Sequence, residues 1–430
     1  MTAVTAVEDL LSFLGASPSP YHAVESVADR LERAGFVEVD LGDSWVGGGR
    51  SFVRRGGAIV AWADRDMAPE TPFRIVGAHT DSPNLRVKPE PDLGVLGWRQ
   101  VGVEVYGGAL WNSWLDRDLG LSGRVVMSDG DGLVERLLLV DRPLARVPQL
   151  AIHLDRDVNG QGLKLNAQNH LTPVWGTGAV SPGDFARFVA TELDADPDAI
   201  RGWDLMFHDL TPPTLLGRDR ELIASARLDN LLSCWAGTEA ITAAAGTDRT
   251  NPGGGAVPVL CLFDHEEVGS TSATGADGAL LSQILERSVA ARDGSRDHFL
   301  RACPDSVCAS VDMAHATHPN HPERHDPNHF VTIGAGPVVK LNANQRYATE
   351  ASTHAVLVEA CRRAEVPVQV FVSRNDQPCG STIGPVTAAR LGIPTVDVGV
   401  AQLSMHSARE LCGAEDPLHL TASLTEFLRG

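Results

Sequence analysis

Two adjacent glutamates, Glu266 and Glu267, close the stretch AVPVLCLFDHEEVGS directly after the apolar run Val257 to Phe263. A carboxylate at the end of a buried strand must be paired, metal-bound or protonated, because an unpaired ion in apolar surroundings is expensive. Neither a helix cap nor a solvated face suits this pair, so it is expected to be used. Other apolar runs also end in ligand-type residues. Phe73 to Ala78 leads into His79 and Asp81, Ser306 to Val311 leads into Asp312 and His315, and Thr395 to Val400 leads towards His406. Asp229 opens a helical pattern in SARLDNL. Strand carboxyl ends in open α/β sheets converge on one crevice, so these side chains are expected to share a site. Imidazoles and several carboxylates without a thiolate suit zinc, with manganese or cobalt also accommodated. Asp81 lies two residues beyond His79 on the same strand face, where it can orient the imidazole.

Competing chemistries lack their residues. The five histidines between His315 and His329 lie among Pro, Asn and Glu, which reads as a surface loop for all but His315. His265-Glu266 is followed by Gly269 where an HExxH helix needs its second histidine. Gly253 to Gly255 lacks the following Lys-Ser/Thr of a phosphate loop, and no GxSxG is present.

The elements that would carry these residues follow from pattern. Helical spacing runs from Val4 to Ala34 with a break at SPSP, and Gly35 is expected to close it. A strand is expected over Ser51 to Trp62 and another over Phe73 to Ala78. From 92 to 220 glycines are frequent and short alternating segments recur, including Val101 to Tyr106 and Gly123 to Met127. Asp129-Gly130-Asp131-Gly132 signals a hairpin before Leu133 to Val140. We read 92–220 as an inserted β-rich domain and 1–91 with 221–430 as one discontinuous α/β domain. The latter has helices over Leu228 to Ala245, Ala279 to Ala291 and His354 to Ala364, and late strands over Val366 to Val372 and Thr395 to Val400.

At 430 residues the chain has room for two domains, and 43% hydrophobic content is that of an ordinary globular protein. A net charge of -19 argues against nucleic acid and anionic membranes as partners. No apolar run approaches the ~20 residues of a membrane helix, and the N-terminus has no basic leader. Seven scattered cysteines without CxxC point to a reduced, cytoplasmic setting.

The motifs GAHTDSPNLRVKP, SARLDNL, DHEEVGS, DMAHA, KLNANQRYA, PCGSTIGP and SMHSARE, with ASPSPYHAVE near the N-terminus, resemble those of the aspartyl aminopeptidases. These are cytosolic metallo-aminopeptidases with two zinc ions. The resemblance implies a phosphorylase/hydrolase-like catalytic α/β domain, with a mixed central sheet and helices on both faces, plus an inserted dimerisation domain. It implies that Asp229 bridges two zinc ions, His79 and Asp312 completing one site and Glu267 and His406 the other. Glu266 would be the general base on a metal-bridging water, with Asp81 supporting His79, and the Asp229-Asn230 peptide would be cis. His153, in LAIHLDR, would reach a neighbouring subunit's active site. His315, Lys340 and Tyr347 would contact substrate, Lys340 pairing with an acidic first side chain. Peptides beginning with Asp or Glu are the implied substrates, and a tetrahedral dodecamer built from dimers the implied assembly. A broad or neutral metallo-aminopeptidase, a related metallo-amidohydrolase and a catalytically dead assembly protein are the alternatives; the intact residue set argues against the last.

Overall fold

The computed structural model describes residues 3–246 and 255–430. Val257–Phe263 is buried along its whole length because it runs inside a nine-stranded sheet covered on both faces. The order across that sheet is Val37–Glu38, Arg50–Arg55, Ala58–Ala63, Val257–Phe263, Phe73–His79, Val307–Val311, Thr395–Gly399, Val338–Leu341 and Gln369–Val372. Val257–Phe263, Phe73–His79, Val307–Val311 and Thr395–Gly399 are parallel neighbours at its centre. Ala58–Ala63 and Val338–Leu341 pair antiparallel on either side of them, so the sheet is mixed.

Alternation along the central strand divides the core. Val257, Val259, Cys261 and Phe263 pack with Leu281, Ile284 and Ile383. Leu260 and Leu262 pack on the other face with Leu231, Trp235, Leu424 and Phe427. Each fully buried Leu or Phe contributes about 1.5–3 kcal/mol of transfer free energy. The helices Ala3–Ala16, Pro20–Arg33, Leu228–Gly246, Ala351–Arg363 and Asp416–Arg429 contribute to one face, and Leu280–Ala291 and Ile383–Leu391 to the other.

The SPSP break falls between the first two helices, where the Ser19 hydroxyl accepts from the His22 amide at 3.5 Å. Gly35, with φ +82°, stands immediately after the cap residue Ala34. The single strand expected over Ser51 to Trp62 is instead a hairpin, Arg50–Arg55 with Ala58–Ala63, turning at Gly56, whose φ is +57°. The helix expected from His354 starts at Ala351, and the strand expected from Val366 starts at Gln369.

A second sheet has six strands, each antiparallel to its neighbours. Its order is Gly132–Ala145, Leu119–Asp129, Ile200–Asp209, Asn84–Val95, Trp98–Tyr106 and Val174–Thr177. Asp129 pairs with Gly132 at the expected turn. This sheet starts at Asn84, ahead of residue 92. A third sheet, not expected from pattern, joins Thr214–Leu216, Leu222–Ser225, Glu410–Gly413, Ala401–Leu403 and Ala314–His315. Among the described residues, no helix is long and apolar enough to cross a membrane.

Candidate metal centre

The parallel strands deliver their carboxyl ends to one place. His79 ends its strand in register with Phe263 of the next. After Phe263 the chain turns through His265, with φ +63°, into a single 3-10 turn, Glu266–Val268. Asp312 follows Val307–Val311 directly. Asp229 enters from a helix whose backbone is non-helical at Asp229 and Asn230, and the peptide between them is cis. His406, with φ +65°, lies between Ala401–Leu403 and Glu410–Gly413.

Three sets of donor atoms gather here, each within 4.8 Å: His79, Asp229 and Asp312; Asp229, Glu267 and His406; and His79, Glu266 and Glu267. Asp229 is common to the first two sets. Its Oδ1 lies 3.5 Å from His79 Nε2 and its Oδ2 lies 3.7 Å from His406 Nε2. His79 Nε2 is also 3.7 Å from Asp312 Oδ1 and 3.9 Å from Glu266 Oε2, and His406 Nε2 is 3.5 Å from Glu267 Oε2.

The electrostatics ask for positive charge. Burial raises the Glu266 pKa to about 8; His79 opposes that rise while Asp312, Asp81 and Asp229 add to it. Burial and then the Asp229 charge hold Glu267 well above the carboxylate range. Burial disfavours a charged His79, yet Glu266, Asp229, Asp312 and Asp81 together raise its pKa well above the usual value. Asp229 Oδ1 and Glu267 Oε1 are buried with no hydrogen-bond partner among the described residues. Such oxygens cost free energy unless a cation takes them. A nitrogen and oxygen donor set with orphaned carboxylate oxygens therefore fits zinc.

Asp81 sits behind this cluster. Its Oδ1 is 3.4 Å from His79 Nδ1, and its two oxygens accept from the Glu266 and Glu267 amides at 3.1 Å each. Lys340 is buried, and its ammonium donates to the Asp312 and Met313 carbonyls at 2.9 and 3.2 Å, lies 3.6 Å from Asp312 Oδ2 and stands 5.1 Å from the Tyr347 ring centre. His315 is exposed at the rim, its ring 6.1 Å from that of Phe371. With His318, His321, Arg324, His325 and Gln402 it lines an open cavity of about 410 Å³, and among the described residues none of its histidines belongs to a donor set. His153 is exposed and outside the cluster of this chain.

Sequence reading missed three supports. Glu410 is buried and accepts from the Asp229 amide at 3.0 Å and the His406 amide at 2.7 Å. The Tyr106 phenol donates to Asp81 Oδ2 at 2.7 Å, and Gln402 Nε2 approaches Asp229 Oδ2 at 3.5 Å. The acidic residue four places after His406 was a visible signal for Glu410 alone.

The match to known proteins covers nearly the whole chain. Residues 13–428 match the family model described as aminopeptidase I zinc metalloprotease, M18. A probable M18 family aminopeptidase 2 of Streptomyces avermitilis is 58% identical over 427 residues, 98% of this chain and 97% of its own. A protein of the same description from Mycobacterium leprae is 51% identical over 424 residues, 97% of each. Among solved structures, a chain of the Ape4 and Nbr1 complex superposes with TM-score 0.94 at 36% identity, covering 99% of this chain and 86% of that one. The S. cerevisiae mApe1 dodecamer gives 0.85 at 26% identity, covering 98% and 95%. The chain belongs to the M18 aminopeptidases, a family of zinc metalloproteases.

Proposed function

We propose that this aminopeptidase removes acidic N-terminal residues from peptides by attack of water on the scissile carbonyl, with Glu266 as general base. The observation that carries the reading is the sharing of Asp229 between the His79–Asp312 and Glu267–His406 sets. Asp229 would join two zinc ions, the first completed by His79 and Asp312 and the second by Glu267 and His406. Zinc bound there supplies the Lewis acidity that lowers the pKa of water and polarises the carbonyl. Glu266 takes the proton of the attacking water and passes it to the leaving amine. Asp81 holds the turn that carries Glu266 and Glu267 and orients His79.

The acidic preference rests on Lys340 and Tyr347, with His315 contacting substrate at the rim. A second reading, broad or neutral specificity, has its own support: the Lys340 ammonium already serves the Asp312 and Met313 carbonyls. We further propose that the chain forms a dodecamer like the S. cerevisiae mApe1 dodecamer, that His153 serves a neighbouring subunit's site from residues 92–220, and that the protein works in the cytoplasm. All seven cysteines are free, six of them buried, which agrees with a reducing compartment. Manganese or cobalt would fit the same donors.

Kinetics on dipeptides with varied first residues test this. Glu266→Gln should keep its zinc and lose about 10²–10⁴-fold in kcat; near-normal turnover would remove the base assignment. Lys340→Ala should reduce activity on Asp- and Glu-starting peptides far more than on Leu- or Ala-starting ones. Equal loss on all would favour the second reading, with Lys340 acting on Asp312.

A further inference from the structure

The second sheet approaches the metal centre at the start of strand Asn84–Val95, where the Ser82 hydroxyl donates to the Asp229 carbonyl at 2.7 Å, and again through the segment Tyr106–Leu110. Strand Trp98–Tyr106 ends at Tyr106, whose ring is buried and carries the Arg86 guanidinium 4.2 Å above its centre. The Tyr106 phenol donates to Asp81 Oδ2 at 2.7 Å, the oxygen that also accepts the Glu267 amide. Two residues on, the Gly108 carbonyl lies 3.1 Å from His406 Nδ1, and the Leu110 amide donates to the His406 carbonyl at 3.0 Å. Glycine at 107 and 108 permits this approach. A Cβ on Gly107, which also has φ +68°, would stand 3.0 Å from Glu267 Cβ, and one on Gly108 would stand 3.1 Å from His406 Nδ1. The segment therefore touches both halves of the cluster: the His79 and glutamate side through Asp81, and the His406 side directly.

We propose that Tyr106–Leu110 is a positioning element for zinc, through which the placement of the second sheet sets metal affinity and turnover. The inference rests on the ligand assignment above. Tyr106 acts through Asp81: its hydroxyl and the Glu266 and Glu267 amides together fix the carboxylate, which lies 3.4 Å from His79 Nδ1, while the Asp81 backbone carbonyl accepts from that nitrogen at 3.0 Å. Gly108 acts through His406. Its carbonyl accepts Nδ1–H, which fixes the tautomer and leaves the Nε2 lone pair directed at Asp229 and Glu267. Loss of such an outer partner weakens metal affinity by about 10–100-fold.

The test compares full-length wild type, Tyr106→Phe, Asp81→Asn and the double variant. Zinc affinity is measured by chelator competition, and kcat and KM on one dipeptide. Tyr106→Phe keeps the ring and loses only the hydroxyl. It should bind zinc about 10–100-fold more weakly and show a lower kcat with little change in KM. The double variant should be no worse than Asp81→Asn alone, because contacting residues in one network are not additive. Gly108→Ala should lose zinc preferentially from the His406 side, seen as reduced stoichiometry. Wild-type zinc affinity in Tyr106→Phe, or simple addition of the two losses in the double variant, would overturn the proposal. Near-normal turnover in Glu266→Gln would instead overturn the underlying base assignment, while the zinc titrations, which need no turnover, would still decide the role of the segment.

Discussion

Asp229 offers one oxygen towards His79 and the other towards His406, and among the described residues it alone belongs to both the His79–Asp312 and the Glu267–His406 sets. Its role was readable only jointly, because Asp229 opens a helix whereas His79, Glu266, Glu267 and Asp312 follow apolar strands, where carboxylates and imidazoles have few structural uses. Of its supports, only Glu410 had a sequence signal, as the acidic residue four places after His406; Tyr106 matters only through a contact made across the fold. Lys340 shows the converse, since a lysine beside a strand gave no hint that its ammonium would be buried against Asp312. Two histidines that are not among the proposed ligands contribute to acid stability, His208 from the wall of the cavity it shares with Asp229 and His406. Burial, and then the Arg227 charge, lowers the His208 pKa to about 3, and the same two causes lower His22 to about 4. Unfolded histidine titrates near 6.5, so below that pH the unfolded chain binds protons that the native state refuses. The stability from neutral His208 is therefore present above pH 6.5 and lost as pH falls towards the folded value, by at most about 1.4 kcal/mol per pH unit. In denaturant titrations from pH 7 to 4, His208→Gln should show a shallower loss than wild type; identical slopes would contradict this.

At the scale of elements, the parallel strands were legible because strands buried on both faces read as continuous apolar runs. The third sheet was not, since Ala314–His315, Ala401–Leu403 and Glu410–Gly413 are too short to show a period and pair only through the tertiary fold. The Arg50–Ala63 hairpin was legible in principle, since Gly56-Gly57 is a two-residue hairpin signal, but it was read as one strand because the apolar residues on either side run on past it. That turn matters to the site. A Cβ on Gly57 would stand 2.3 Å from Asp264 Oδ2 and 2.9 Å from Pro20 Cβ. The Gly57 carbonyl also accepts from the Thr80 hydroxyl at 2.5 Å. Gly57→Ala should push Asp264 and with it the turn bearing Glu266, destabilising the protein by about 1–3 kcal/mol and lowering kcat. Unchanged thermal stability and kcat would show that the hairpin does not brace the turn.

At the scale of the whole molecule, one chain brings the three donor sets together, whereas His153 lies outside them on a surface where Leu150, Ile152 and Leu154 are also exposed. Such apolar exposure suits burial against another copy, in keeping with the proposed dodecamer. The second sheet bears on that cluster through Tyr106 and Gly108, so the catalytic and β-rich parts are expected to respond together to assembly. Whether two zinc ions share Asp229 can be read from diffraction recorded on either side of the zinc absorption edge. Two anomalous peaks per chain are expected to flank Asp229, one against His79 and Asp312 and the other against Glu267 and His406. A single peak, or peaks among His318, His321 and His325, would contradict that sharing.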